Sequence, residues 1–470
     1  MAKIMTNTMI IVINKQAHGC VFGGDRTVSE KVFLISLGCA KNLVNSEQML
    51  SILDKEGYEI VKTPEEADIA IVNTCGFIES AQSEAIEVIL KLAALKQEGI
   101  ISGLIVTGCL TERYKSEFLK ELPEVDAALG TGSYNDIAEA VKAVSANKRG
   151  GEWFKNSSTC DFSGDRYLLT PSYYAYLRIS EGCDNRCSYC VIPYIRGRYR
   201  SRTMESLIEE AKKLAESGVK ELLVIAQDIT RYGIDLYGER TLYKLLEELC
   251  KIEGIEWIRL HYMYPDEIDD RLLETIRDND KILKYFDLPL QHINNKVLKE
   301  MNRRGSGQLI RERITKIREM MPDAVFRTSM IVGFPGETWD EYQELYDFLE
   351  EYKLERAGFF CYSQEEGAPS AKREDQIPEE IKEERRNRLF LLQEQIMNDF
   401  SSQLIGKRLK VLCCGIDESG RQYGRSYMDS VDVDGVVYFD NKEVEEGKFV
   451  TVEVIDAVAS ELYGEVVSED

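Results

Sequence analysis

The sequence predicts an α/β protein in three parts: an N-terminal parallel α/β domain, a partial (β/α)6 TIM-like barrel, and a small C-terminal antiparallel β-barrel. Three observations predict it. From about Lys31 to Ala146, short β-branched apolar runs alternate with helical patterns, as in a parallel sheet covered on both faces. From about Tyr173 to Leu404, six strand candidates are each followed by a helical pattern. From Gly406 onward, period-2 runs separated by turn signals replace the helices, which reads as a small barrel of antiparallel strands. The expected divisions are an extension over 1–30, a first domain over 31–147, a linker over 148–172, a core domain over 173–404 and a last domain over 405–470.

In the first domain the strand candidates are Val32–Leu37, Ile69–Thr74 and Leu104–Thr107. Helices are expected over Ser46–Glu56, closed by Gly57, and Glu79–Lys96, closed by Gly99. The linker is rich in Gly, Ser and Asp. In the core domain strands begin near Tyr176, Glu221, Trp257, Lys284, Val325 and Arg356. Helices follow at Met204–Ser217, Thr241–Lys251, Asp269–Arg277, Gly307–Met321, Trp339–Lys353 and Pro378–Gln403. Function in such units gathers at the C-terminal ends of the strands. The charged stretch Glu379–Arg388 reads as the solvated face of the last helix, with Glu384 and Arg388 as a supporting i,i+4 pair. The last domain has runs at Lys410–Cys413, Val433–Tyr438 and Phe449–Val454.

The chain has 470 residues, 44% hydrophobic and 30% charged, the balance of a soluble globular protein. It has no apolar run of membrane-spanning length, and Met1–Val28 lacks a full signal sequence, so a cytoplasmic location is expected. Twelve cysteines in such a chain argue for metal or catalysis rather than disulfides. The formal charge of −23 is opposite to that of a generic nucleic-acid binder and suits a basic partner, although plain solubility would explain it equally.

Cys183, Cys187 and Cys190 stand in C-x3-C-x2-C spacing directly after the first core strand. Three thiolates suit three irons of a cubane cluster and leave the fourth open for a substrate. Structural zinc would need a fourth ligand, and none of the three histidines lies within 60 residues. In the first domain each strand ends in a cysteine: Cys39, Cys75 and Cys109. Their spacing becomes coherent once all three lie at the C-terminal edge of one sheet, where ligands gather. Gly38, Gly76 and Gly108 flank them and let backbone approach closely. Three ordinary buried cysteines are the competing reading. Cys20, Cys160, Cys250, Cys361, Cys413 and Cys414 show no such arrangement and are expected to act as small core hydrophobes.

These residues resemble the methylthiotransferases of the radical S-adenosylmethionine (SAM) superfamily, over nearly the whole chain after Lys31. The resemblance is carried by Ser36–Glu47 around Cys39, Val72–Ile78 around Cys75, Val106–Leu110 around Cys109 and the Cys183–Cys190 motif. In the core domain it also rests on Ile192–Gly197, Ala226-Gln227-Asp228, Ile331–Glu337 and Tyr362–Gly367. Within that family the chain looks closest to the branch that modifies an aspartate of ribosomal protein uS12. Lys41-Asn42 after Cys39, the stretch Leu260–Pro265 and Pro289-Leu290-Gln291-His292 carry that likeness. Charge adds to it: residues 407–470 hold 7 Lys and Arg against 15 Asp and Glu. A domain gripping tRNA should be basic, whereas an acidic one suits a basic ribosomal protein. Ala40, Asn45 and Ile229 depart from the usual pattern of the branch, but none is a cluster cysteine. A tRNA adenosine methylthiotransferase with the same chemistry is the alternative.

The resemblance implies two 4Fe-4S clusters, on Cys183, Cys187 and Cys190 and on Cys39, Cys75 and Cys109, with SAM as the other cofactor. It implies a 31–147 domain for the auxiliary cluster, a radical SAM core and a C-terminal TRAM domain. SAM bound at the first cluster would yield the radical that removes hydrogen from the substrate carbon. The second would hold the sulfur to be methylated and inserted. Both clusters must then face one cavity, with the first domain over the C-terminal mouth of the barrel. Tyr189 is expected against the adenine of SAM, or as loop packing. Gln227 is expected at its methionine end, and Gly333 and Gly336 where backbone nears the cofactor. Arg196 and Arg198 could bind carboxylates or form surface salt bridges. His261 and His292 read equally as substrate contacts or satisfied core histidines. The implied partners are uS12, free or in the small subunit, and a low-potential electron donor, with no DNA or membrane.

Overall fold

The computed structural model describes residues 30–467. The expected extension, with Cys20, lies outside the described residues apart from Glu30. The first sheet is six-stranded and parallel throughout: β1 (Lys31–Ser36), β2 (Glu59–Ile60), β3 (Ile69–Thr74), β4 (Gly103–Gly108), β5 (Ala127–Leu129) and β6 (Gly151–Trp153), in the order β2-β1-β3-β4-β5-β6. Five helices connect these strands: α1 (Ala40–Lys55), α2 (Glu79–Gln97), α3 (Cys109–Tyr114), α4 (Phe118–Glu121) and α5 (Ile137–Ser145). Strand periodicity divides the core. Val32 and Leu34 pack towards α1 and α5, whereas Phe33 and Ile35 pack towards α2, α3 and α4, so both faces are covered and the strands read as unbroken apolar runs.

Two expectations change here. Strand β6 falls inside the stretch read as a linker and pairs in parallel with β5. Helix α1 starts at Ala40, six residues before the expected start. Its first two turns carry Lys41, Asn42, Asn45, Ser46, Glu47 and Gln48, all buried. They face other parts of the chain rather than an apolar core, so no hydrophobic period announces them.

The second sheet is open and parallel. It contains β7 (Tyr174–Arg178), β10 (Glu221–Ile225), β11 (Trp257–Leu260), β12 (Ile282–Asp287), β13 (Val325–Val332) and β14 (Arg356–Cys361), ordered β14-β13-β12-β11-β10-β7. Between its first two strands, β8 (Ser180–Glu181) and β9 (Arg200–Ser201) form a small antiparallel ribbon. The helices are α6 (Ile192–Arg196), α7 (Met204–Glu216), α8 (Ile234–Tyr237), α9 (Leu242–Cys250), α10 (Asp270–Asp278), α11 (Asn295–Glu300), α12 (Gly307–Met320), α13 (Trp339–Tyr352) and α14 (Glu379–Ser402). The longer ones cover the outer face, where Leu222 and Val224 of β10 join the main core. Leu223 and Ile225 point to the inner face and share a core with the other two domains.

The last domain is a closed barrel of β15 (Arg408–Ile416), β16 (Gln422–Arg425), β17 (Val436–Asp440), β18 (Phe449–Val458) and β19 (Glu461–Val467), ordered β15-β16-β17-β19-β18. Its pairs are antiparallel except β17–β19, which is parallel. The segment between β16 and β17 is buried at Ser426, Met428, Asp429 and Ser430. It packs against the inner face of the second sheet beside Tyr285.

Candidate functional site

Cys39, Cys75 and Cys109 follow β1, β3 and β4, which are neighbours in the first sheet. Cys39 caps α1 and Cys109 opens α3. The three loops touch. Gly38 has φ +94°, and a Cβ there would lie 2.7 Å from Cys75 Cβ; a Cβ on Gly76 would lie 2.7 Å from the Leu110 backbone. These glycines are what allow the cysteine loops to close on one another. Asn42 braces them by donating to Leu37 O and Thr74 O, both at 2.9 Å.

The thiols differ in ionisation. Burial pushes Cys75 up to about 12, and the nearby Cys109 and Cys39 add to this. Burial also raises Cys109, against the pull of the Arg196 guanidinium. Cys39 is lowered: burial opposes ionisation there, but Lys41 and Arg196 outweigh it. A thiol held protonated by burial ionises when a metal takes the place of its proton. Among the described residues no three His, Cys, Asp or Glu side chains converge as ligands of one ion. A cubane does not require that, because each thiolate binds a different iron. Sulfur donors, close loops and adjacent cations fit a thiolate-ligated anionic group.

Cys183, Cys187 and Cys190 lie just beyond β7 and β8, at the corresponding edge of the second sheet. Burial raises Cys183 to about 12 and raises Cys190 as well. The Ile192 N–H donates to Cys190 Sγ at 3.4 Å. Arg303 Nη1 lies 3.9 Å from Cys187 Sγ, and its guanidinium stacks on Tyr264 at 4.3 Å. Gln227, just past β10, donates to Glu181 at 2.7 Å. Its Oε1 is buried without a hydrogen-bond partner, an acceptor suited to an ammonium group such as that of SAM. Tyr189 packs against Val297, Met301 and Phe334.

Other expected residues find different neighbours. Gly333 and Gly336 have φ +70° and +75°. The space a side chain would take is filled by Lys382 at Gly333 and by Asp375 and Arg373 at Gly336, which accounts for glycine there without a cofactor. Arg198 forms an exposed pair with Asp184 at 2.7 Å. His261 lies between Asp287 and Ser430, 3.1 Å from each. His292 accepts from the Asn294 N–H at 3.0 Å and lies 3.5 Å from Glu337. Both histidines are satisfied core residues.

The two cysteine sites adjoin. Cys109 packs with Phe77, Val191, Ile195 and Ala368, and Val191 follows Cys190 directly. Thr131 donates to Ile195 O at 2.6 Å. Arg113 of α3 donates to Gly76 O at 2.8 Å and to Glu365 at 3.0 Å, so the loop after β14 is clasped to the loop after β3. The first domain thus meets the core domain at the C-terminal ends of both sheets. Sequence reasoning missed Glu181, Arg303, the Arg113–Glu365 clasp and the inward course of Arg196. Arg196 and Glu365 lie in stretches that carry the family resemblance, but their partners are distant in the chain and no spacing names them.

Comparison with known proteins agrees with these parts. The radical SAM superfamily matches residues 177–349, the uncharacterized protein family UPF0004 matches 31–130, and the TRAM domain matches 405–467. The ribosomal protein uS12 methylthiotransferase RimO of Clostridioides difficile (strain 630) is 48% identical, covering 93% of this chain and 99% of its own. Its counterpart in Thermoanaerobacter sp. (strain X514) is 48% identical over 93% of this chain and all of its own. Among solved structures, the radical SAM methyltransferase TsrM from Kitasatospora setae superposes with TM-score 0.53 at 14% identity, over 71% of this chain and 75% of that one. The cobalamin-dependent radical enzyme OxsB does so with 0.53 at 13%, over 70% and 53%. Likeness at such identities shows the fold alone. The sequence relatives show more: this chain belongs to the RimO family of methylthiotransferases, radical SAM transferases whose cofactors are S-adenosylmethionine and 4Fe-4S clusters.

Proposed function

We propose that this chain transfers a methylthio group to the β-carbon of an aspartate in ribosomal protein uS12, using two 4Fe-4S clusters and two SAM molecules. The observation that carries this reading is the contact between the two cysteine sites, with Cys109 packed on the segment that follows Cys190. Cys183, Cys187 and Cys190 would hold the cluster that binds SAM. Gln227 Oε1 would accept from the SAM ammonium, and Tyr189 would close the wall beside it. The loop carrying Gly333 and Gly336 contributes through Phe334, which packs with Tyr189. Cys39, Cys75 and Cys109 would hold the second cluster and the sulfur to be inserted. When bound, these cofactors supply the radical that an unactivated C–H bond demands and no side chain provides. The chain's own part is to hold both sites together and keep water out. In this reading the enzyme works in the cytoplasm, meets uS12 free or in the small subunit, and draws on a low-potential electron donor. Among the described residues no helix is long and apolar enough to cross a membrane.

The test is mass spectrometry of two candidate substrates. Anaerobically reconstituted enzyme, SAM and a reductant are incubated with uS12 and, separately, with unmodified tRNA. One methylthio group on an aspartate of uS12, with tRNA unchanged, is the expected result. Modified tRNA beside unmodified uS12 would move the substrate to tRNA adenosine and leave the two-cluster chemistry intact.

A further inference from the structure

Arg196 has a placement that the family reaction does not by itself explain. It sits six residues after Cys190, at the end of α6, yet its side chain leaves the core domain and enters the first. Nη2 lies 3.4 Å from Cys109 Sγ and donates to Asn42 Oδ1. Nη1 donates to Asn45 Oδ1 at 3.0 Å and to Glu181 at 3.3 Å. The residue is 2% exposed.

The charge around it is unbalanced. Glu181 is also paired with Arg178 at 2.8 Å, and Arg178 is fully buried with its other contacts going to neutral oxygens of Gln48 and Phe162. One carboxylate therefore serves two buried guanidinium groups, while the remaining acceptors of Arg196 are two asparagine amides and a cysteine sulfur. A buried cation without a full counter-charge is costly. A cluster ligated by three thiolates carries net negative charge and becomes more negative on reduction. The excess positive charge is thus placed where such a cluster would reside, and a hydrogen bond to a ligating sulfur favours the reduced state.

We propose that Arg196 is a positioning residue that joins the auxiliary cluster site to the SAM-binding loop and raises the reduction potential of the cluster on Cys39, Cys75 and Cys109. This rests on the assignment of a cluster to those cysteines, and the experiment separates the two claims. The full chain carrying Cys183→Ala, Cys187→Ala and Cys190→Ala is reconstituted anaerobically, so that only the auxiliary cluster forms. Its potential is followed by EPR during a redox titration, with Arg196 intact, as Arg196→Gln and as Arg196→Lys. Arg196→Gln should lower the reduction equilibrium at least tenfold, a fall of 59 mV for a one-electron couple. Arg196→Lys keeps the charge and should recover most of that fall. An Arg196→Gln protein with an intact cluster and the parent potential would overturn the proposal. If Arg196→Gln retains no iron, Arg196→Lys decides: a potential near the parent's supports the charge role, and one at least tenfold lower overturns it. Absence of iron with Arg196 intact would overturn the cluster assignment itself, and the role of Arg196 with it.

Discussion

Cys39 and Cys75 stand in touching loops with similar partial exposure, and their surroundings push them in opposite directions. Burial and two neighbouring thiols take Cys75 up to about 12, whereas Lys41 and Arg196 overcome burial at Cys39 and lower it. Because the thiolate is the nucleophile, this difference has a direct readout. In metal-free protein near pH 8, iodoacetamide should label Cys39 at least tenfold faster than Cys75, as resolved by peptide mass mapping. Equal rates, or the reverse order, would contradict the electrostatic account. The residue scale also marks the boundary of what the sequence discloses. Six cysteines declare themselves by spacing and by their places after strands. Arg196 does not, because the sulfur it approaches lies 87 residues away and only the fold brings the two together. Gly333 and Gly336 show the converse: their need for glycine is legible, but it comes from a positive φ at both positions, with the Lys382 stem also crowding Gly333.

At the scale of elements, legibility follows amphipathicity. Outer helices such as α7, α9, α10, α12 and α13 end within a residue or two of their expected limits, because each buries one apolar stripe against the second sheet. Helix α1 begins early because its first turns bury polar side chains against the linker and core domain. Glu47, for example, accepts from the Leu169 N–H at 2.9 Å and pairs with Arg166. The parallel β17–β19 pair is likewise silent in the sequence, since period-2 runs reveal strands but not partners. Helix α13 allows a quantitative check. Thr338 accepts from the Glu341 N–H, and the Glu341 carboxylate accepts from the Thr338 N–H at 2.7 Å, a complete capping box. Thr338→Ala should cost about 1 kcal/mol, read as a lower urea midpoint with an unchanged slope. A midpoint equal to that of the parent would show that the cap contributes nothing to the rest of the chain.

At the scale of the molecule, the last barrel is locked to the core domain rather than tethered to it, and Glu221 is the centre of that lock. It opens β10 and pairs with Arg259 at 2.7 Å and with Arg425 of the last domain at 2.6 Å, all three buried. Arg356 and Asp429 form a second crossing pair at 2.9 Å. Burial works against the Glu221 carboxylate, but Arg425 and Arg259 overcome it and bring its pKa from 4.5 down to about 2. A depressed folded-state pKa stabilises the fold above the unfolded value, and that contribution is lost as pH falls from about 4.5 towards 2. Glu221→Gln puts a neutral amide where the one shared carboxylate stood between two buried guanidinium groups, whose other hydrogen bonds go to neutral oxygens: Ser426 O and Tyr427 O for Arg259, and Asp429 O for Arg425. Breaking a buried pair in this way should cost about 3 kcal/mol at neutral pH. The gap between parent and variant, measured by urea unfolding, should narrow below about pH 4.5, where the carboxylate of the unfolded parent takes up its proton, and should close towards pH 2, where the folded one does. A gap that stays constant with pH would assign the loss to packing rather than charge. Because the lock reaches the inner face of the sheet that carries Cys183, Cys187 and Cys190, the last domain also braces that sheet, a contribution separate from any contact it makes with a substrate.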